Sequence, residues 1–270
     1  MKKWAIATLL AGTVSLAACS SDKTDSATDA FKGQSAQEIF QKGDQSLAKK
    51  SYKNAIKNFE GLAALYPFSD YQEQAQLDLM YAYYMDQDYD SCGAAADRFI
   101  HLYPRSANVD YAYYMKGISD FSIDRTFGSK LANLDLSSRD LSTTKQAFND
   151  FSQLVTLYPD SIYAPSAHAR MIYLRNLLAN HEVEVATFYM KHQAYVAAIN
   201  RANYVVQHYQ ESPAVIPALG ILATAYHKLQ LNDQAAQITA VLALNYPNST
   251  VYKDLMKAYP SIKTNPPAKS

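Results

Sequence analysis

The chain is predicted to be all-α, a right-handed superhelical solenoid of about five stacked helical hairpins, and three observations carry that expectation. The phrase Leu-Tyr-Pro recurs at Leu65-Tyr66-Pro67, Leu102-Tyr103-Pro104 and Leu157-Tyr158-Pro159, with Asn245-Tyr246-Pro247 as a further copy and His208-Tyr209-Gln210 as a decayed one. Twelve residues before each proline position stands a small side chain: Ala55, Cys92, Ala147, Ala198 and Ala235. Helices crossing at closest approach exclude bulk, so small residues at one register position in every unit mark a packing contact. No stretch alternates with the period of two that a half-buried strand requires.

The marker tyrosines lie 37, 55, 51 and 37 residues apart. That is near the period of about 34 residues of a tetratricopeptide repeat, with two longer units. Three residues before the small sites, Tyr52, Tyr89, Thr144, Tyr195 and Asn232 are placed to open each second helix. In the first unit Ile39, Phe40, Gly43 and Leu47 share one helical face, and Ala55, Ile56, Phe59, Leu62 and Ala63 share a facing one. The predicted pairs are 36–49 with 52–66, 70–86 with 89–103, 107–120 with 143–157, 162–180 with 194–208, and 213–229 with 232–246. Breaks such as Pro67-Phe68-Ser69-Asp70 and Pro104-Arg105-Ser106 stop the second helices and offer Ser or Asp as the next N-cap. The missing proline at Gln210 predicts a looser turn there. Phe121 to Ser142 is expected to be an insert within the third unit, carrying Asp135, Arg139 and Asp140, and His181 to Gln193 an added or extended helix in the fourth.

Ahead of the repeats, Lys2 and Lys3 precede an uncharged stretch, Trp4 to Ala18. As a helix it would rise only about 22 Å, short of a bilayer core of roughly 30 Å, so residues 1–18 are expected to be a secretory leader. The leader ends in Leu16-Ala17-Ala18-Cys19, which resembles the lipobox of bacterial lipoproteins and predicts lipidation of Cys19. Two or more acyl chains anchor a protein stably. Ser20 follows where an Asp would resemble the inner-membrane retention signal, so the periplasmic face of the outer membrane is the expected location. Residues 19–35 then form a polar tether, 36–106 the N-terminal repeats, 107–250 the C-terminal repeats, and 251–270 a partly disordered tail. With Cys19 acylated, Cys92 has no disulfide partner and is expected to be a small core filler.

Twenty-five basic residues balance 25 acidic ones, which removes the electrostatic footprint of a nucleic-acid binder. Neither a Gly-rich phosphate loop nor a Gly-x-Ser-x-Gly elbow occurs, and His181-Glu182 lacks the second histidine of a metalloprotease pair. The chain is therefore expected to bind rather than catalyse, without metal or cofactor. Against one Trp stand 22 Tyr, densest from Tyr66 to Tyr84, where a groove would suit a peptide rich in aromatics.

More specific strings run through the chain: Tyr66-Pro67-Phe68, Gln76-Leu77-Asp78-Leu79, Tyr81-Ala82-Tyr83-Tyr84, Asp97-Arg98-Phe99-Ile100, Arg139-Asp140, Ala147-Phe148, Asp150-Phe151-Ser152 and Val196-Ala197-Ala198 with Asn200-Arg201. On these the sequence resembles the BamD family of outer-membrane assembly lipoproteins. The resemblance implies docking of the C-terminal repeats on the last POTRA domain of the barrel insertase BamA, with Arg201 touching an acidic partner residue and Asn200, Arg139 and Asp140 contributing. It implies recognition of unfolded β-barrel substrates by the N-terminal repeats, with Tyr71, Gln76 and Tyr83 as nominated contacts, and company from other lipoproteins of the complex. Around Leu177, Lys191, His192 and Gln193 the sequence departs from the family's pattern. The rival reading is a tetratricopeptide lipoprotein that serves as adaptor in a cell-wall or envelope-tethering complex.

Overall fold

In the computed structural model, which describes residues 29–130, 141–260 and 262, all regular structure is helical. The helices are α1 (Ala36–Ala48), α2 (Tyr52–Leu65), α3 (Gln72–Met85), α4 (Tyr89–Leu102), α5 (Val109–Lys130), α6 (Ser142–Leu157), α7 (Ala164–Lys191), α8 (Tyr195–His208), α9 (Val215–Lys228), α10 (Asn232–Asn245) and α11 (Thr250–Ala258). Each packs on the next in the chain, and the first helices of successive units also touch, α1 with α3 and α5 beyond it, then α7 with α9 and α11. This is the stacking of a tetratricopeptide-type solenoid.

The register read from the sequence organises the interior. Ala55, Cys92, Ala147, Ala198 and Ala235 are all fully buried. One turn on, so are Phe59, Ala96, Phe151, Ala202 and Thr239, and two turns on Leu62, Phe99, Leu154, Val205 and Leu242. Positions i, i+4 and i+7 lie on one helical face, so every second helix buries the same stripe. Opposite Phe59 and Phe151 the facing helix has given up its side chain: a Cβ on Gly43 would stand 2.4 Å from the Phe59 ring, and one on Gly117 2.8 Å from Phe151.

Two turn types alternate. Within units one, two, four and five the first helix ends on a left-handed residue, Lys50, Gln87, Gln193 or Gln230, with φ between 56° and 64°. In each, that N–H and the next one reach back to the helix's last carbonyls, as in Ser51 N to Ser46 O at 2.8 Å and Lys50 N to Leu47 O at 2.8 Å. This closure usually takes glycine, and a longer side chain there stores about 1 kcal/mol. Between units the second helix ends on the marker tyrosine, with φ from −125° to −135° at Tyr66, Tyr103, Tyr158, Tyr209 and Tyr246. The N–H of a serine three residues on donates to each tyrosine carbonyl, Ser69 through Ser249. Tyr209 keeps this geometry, with Ser212 N at 2.9 Å from its carbonyl, so Gln210 does not loosen the turn. The hydrogen bond, rather than the proline ring, holds it.

Three stretches sharpen the expectation. The insert after Phe121 begins as helix, because α5 runs on to Lys130. The segment 181–193 extends the first helix of unit four, making α7 28 residues long. Part of the tail is ordered: Ser249 caps α11 by accepting from Tyr252 N at 3.2 Å, and Tyr259-Pro260 closes it as a sixth copy of the tyrosine turn.

Buried apolar side chains form two clusters. One spans Phe31 to Leu174 and holds Phe59, Phe99 and Phe151. The other spans Ala179 to Leu255 and contains Ala, Val, Ile and Leu alone. The changeover falls inside α7, which contributes Leu174 to the first and Ala179 and Ala186 to the second.

Candidate interaction surfaces

On the N-terminal side, α2, α3 and α4 enclose a pocket of about 340 Å³ whose walls carry Glu60, Gln76, Tyr83 and Arg98 above Ala63 and Leu79. Tyr83 donates its hydroxyl to Glu60 Oε1 at 2.5 Å, and burial together with that carboxylate pushes the phenol well above its ordinary range. Gln76 is buried, and its Oε1 accepts no hydrogen bond among the described residues. An unpartnered buried acceptor beside a carboxylate and a guanidinium suits a ligand that donates through N–H and accepts at a carbonyl or carboxylate. Two of the three residues nominated from the sequence therefore share a site. Tyr71 is not part of its lining: its ring stacks on Phe40 of α1, centroids 5.2 Å apart. Sequence reasoning missed Glu60 and Arg98 as wall residues. It also undervalued Phe68, which protrudes from the turn between α2 and α3 with 99% of its surface exposed.

On the C-terminal side Arg201 and Asn200 lie on α8. Asn200 is exposed. Arg201 directs Nη1 to Glu182 Oε2 on α7 at 3.1 Å while its side chain stays 48% exposed. The nearly buried Glu182 thus holds one edge of the guanidinium and leaves other donors facing outward. A second arginine, Arg175 of α7, pairs with Glu211 in the turn after α8. The extension of α7 that lengthens unit four is what brings Glu182 to Arg201.

Between these surfaces sits a charged cluster. Asp150 of α6, only 1% exposed, accepts from Gln146 at 3.1 Å and faces Lys116 Nζ of α5 at 3.4 Å, while Lys116 also reaches Asp97 of α4 at 2.8 Å. Burial alone would pull Lys116 down, but the two carboxylates hold its affinity for the proton above the ordinary value. Burial, then the hydrogen bond and charge of Asp150, push Asp120 up to about 7. The cluster ties three consecutive helices and opens onto no described pocket.

Cys92 is the small filler expected of it, with Sγ 3.3 Å from Met80 O and burial pushing the thiol up to about 11. His181-Glu182 is resolved as half an ion pair rather than half a metal site, and among the described residues no group of three or more His, Cys, Asp and Glu side chains could hold a metal ion. No described helix is long and apolar enough to cross a membrane. Cys19, Arg139 and Asp140 lie outside the described residues.

A row of hairpins with a polar pocket at one end and an outward guanidinium near the other defines a helical-repeat docking scaffold. The family described as outer membrane lipoprotein, YfiO, matches residues 32–242. Relatives named outer membrane protein assembly factor BamD include that of Neisseria meningitidis serogroup B (strain ATCC BAA-335 / MC58), 38% identical over 89% of this chain and 90% of its own. That of Xylella fastidiosa (strain 9a5c) is 35% identical over 97% of this chain and 89% of its own, and that of Pasteurella multocida (strain Pm70) 38% identical over 77% and 80%. The chain belongs to this family.

Proposed function

We propose that the protein is a non-catalytic, lipid-anchored scaffold of the outer-membrane β-barrel assembly complex. Its C-terminal repeats dock on the POTRA domain of the insertase BamA, and its N-terminal repeats take up unfolded barrel proteins. The carrying observation is identity of 35–38% along nearly the whole repeat body to relatives named as assembly factors. At the C-terminal side the half-exposed Arg201 supports the reading, since a guanidinium pre-aimed by Glu182 loses little freedom on gripping an acidic partner. At the N-terminal side the pocket of Gln76 and Tyr83 is the substrate contact, with the exposed Phe68 and the half-buried Tyr71 as further apolar contacts. Lipidation of Cys19 and contacts by Arg139 and Asp140 belong to the same proposal.

The test is co-purification from detergent-solubilised envelopes with partners identified by mass spectrometry. Replacing Arg201 by Glu would set two carboxylates side by side at Glu182, so Arg201→Gln is the cleaner variant. It should keep cooperative melting and lose about tenfold in recovery of a large barrel protein with POTRA domains, the size of one modest interface hot spot. Undiminished recovery would remove Arg201 from the interface. Recovery of peptidoglycan-associated proteins in place of the barrel protein would replace this reading by the envelope adaptor. A photocrosslinker at Tyr83 should capture peptides ending in a barrel strand, and capture at Tyr71 alone would move the substrate out of the pocket.

A further inference from the structure

The first hairpin has a second cleft, of about 380 Å³, that the contacts above leave unused. Its walls carry Lys42 from α1, Lys49 at that helix's C-cap, and Asn54, Lys57 and Asn58 from α2, with Phe31 also lining it. The spacing explains the convergence. Lys49 follows Lys42 by seven residues at the end of α1, and Asn54, Lys57 and Asn58 follow i, i+3, i+4 on the facing side of α2. No carboxylate lines the cleft, and among the described residues none lies within ion-pair distance of these three ammonium groups. Lys42 donates instead to the neutral Gln34 Oε1 at 2.7 Å. The one acid in its field, Glu38, is already held by the backbone N–H and hydroxyl of Ser35.

Charge is distributed to match. Residues 29–58 carry six lysines against three acids, one of which, Asp29, pairs with Lys32, whereas residues 59–270 carry 16 basic residues against 20 acidic ones. The first hairpin is therefore a positive patch on an otherwise slightly acidic repeat body. Ten residues, 19 to 28, separate Cys19 from the described chain, a reach of at most about 35 Å when fully extended.

We infer that this cleft binds the phosphate of an anionic phospholipid headgroup, laying the first hairpin on the leaflet that holds the anchor. The inference rests on the lipid anchoring proposed above. Three ammonium groups and the remaining N–H of two side-chain amides, which otherwise donate to Ser51 Oγ and Asn54 O, offer donors to an oxyanion, and no carboxylate is among the walls. Tethering near the surface raises the local concentration of headgroups far above that of a soluble anion.

The experiment uses the mature chain from residue 19 carrying Cys19→Ser, so that no acyl chain contributes. Every described helix lies within it. It should float with vesicles of phosphatidylcholine mixed with phosphatidylglycerol, fail to float with phosphatidylcholine alone, and detach as salt is raised. A triple Lys42→Gln, Lys49→Gln, Lys57→Gln variant should lose on the order of a hundredfold in partition, about fivefold per lysine. The matched triple Lys228→Gln, Lys253→Gln, Lys257→Gln should keep wild-type partition. Equal flotation with neutral vesicles, or unchanged flotation of the first triple variant, overturns the inference. Thermal stabilisation by inorganic phosphate without flotation overturns the headgroup assignment and makes the ligand a soluble anion. The first triple variant should still recover the barrel partner in the co-purification above, so failed flotation leaves the scaffold reading standing.

Discussion

The two ends of α7 enter different interiors. Around Leu174 the core is aromatic, with Phe31, Phe59, Phe99 and Phe151 buried, whereas around Ala179 and Ala186 no aromatic side chain is fully enclosed. Yet the register is the same in both: the position one turn after the small slot is Phe59, Ala96 and Phe151 in the first, and Ala202 and Thr239 in the second, all fully buried. The difference teaches that the repeat prescribes which positions are enclosed and leaves the volume to be settled pair by pair. A Phe at that position, one turn after the small slot, faces a glycine, Gly43 or Gly117, and an Ala or Thr there does not.

The largest test of that contrast compares equivalent positions. Phe151→Ala should destabilise by about 4 kcal/mol, and Thr239→Ala, which loses a hydroxyl bonded to Ala235 O at 2.7 Å, by about 1 kcal/mol. Equal losses in chemical denaturation would abolish the contrast. The interiors also differ in charge, because the aromatic half encloses Asp150 together with a largely buried Lys116, while in the other half the nearly buried Glu182 has a half-exposed partner, Arg201. Lys116→Met leaves Asp150 without its cation and should remove about 3 kcal/mol; Arg201→Gln should remove no more than about 1 kcal/mol. Next in size, Gly117→Ala drives a Cβ into the Phe151 ring and should lose about 2 kcal/mol. Gly93→Ala, with nothing within 4 Å of the new carbon, should gain close to 1 kcal/mol from helix propensity.

The smallest effect is one of pH and belongs to the aromatic half alone. Asp120 binds its proton more tightly folded, with a pKa raised to about 7, than unfolded near its ordinary 3.8. The native state therefore holds the extra proton across that window. Stability should fall as pH rises from about 4 to 7 and level off above, by about 1 kcal/mol once solvent screening of a half-buried group is allowed for. Asp120→Asn should flatten this segment of the melting-temperature profile; an unchanged slope would assign it to another group.

Much of the fold was legible because its constraints recur from unit to unit. Small slots and tyrosine turns stand in register in all five units and an opening tyrosine in three, and a packing rule that repeats can be read without coordinates. What was illegible happens once. Glu182 and Arg201 are nineteen residues apart on different helices, and only the length of α7 makes them neighbours. Gln76 and Tyr83 could be nominated, but Glu60 and Arg98 come from flanking helices that no local pattern links to them. Tyr71 looked like its neighbours in composition and proved to stack on Phe40. Tyr259-Pro260 stands only thirteen residues after Tyr246, too close for a further hairpin, and neither this sixth turn nor the single helix α11 before it was anticipated.

Because α7 supplies side chains to both clusters, it cannot be released by the opening of either one alone. Sub-global openings of the aromatic or the aliphatic half would each leave one segment of α7 clamped by the other. Its central amides, near residues 174 to 179, would exchange with solvent deuterium only through complete unfolding, more slowly than those of α1 or α11 at the ends of the row. Arg201, held by Glu182 near one end of α7, is thereby tied through a single continuous helix to the aromatic cluster that Leu174 enters.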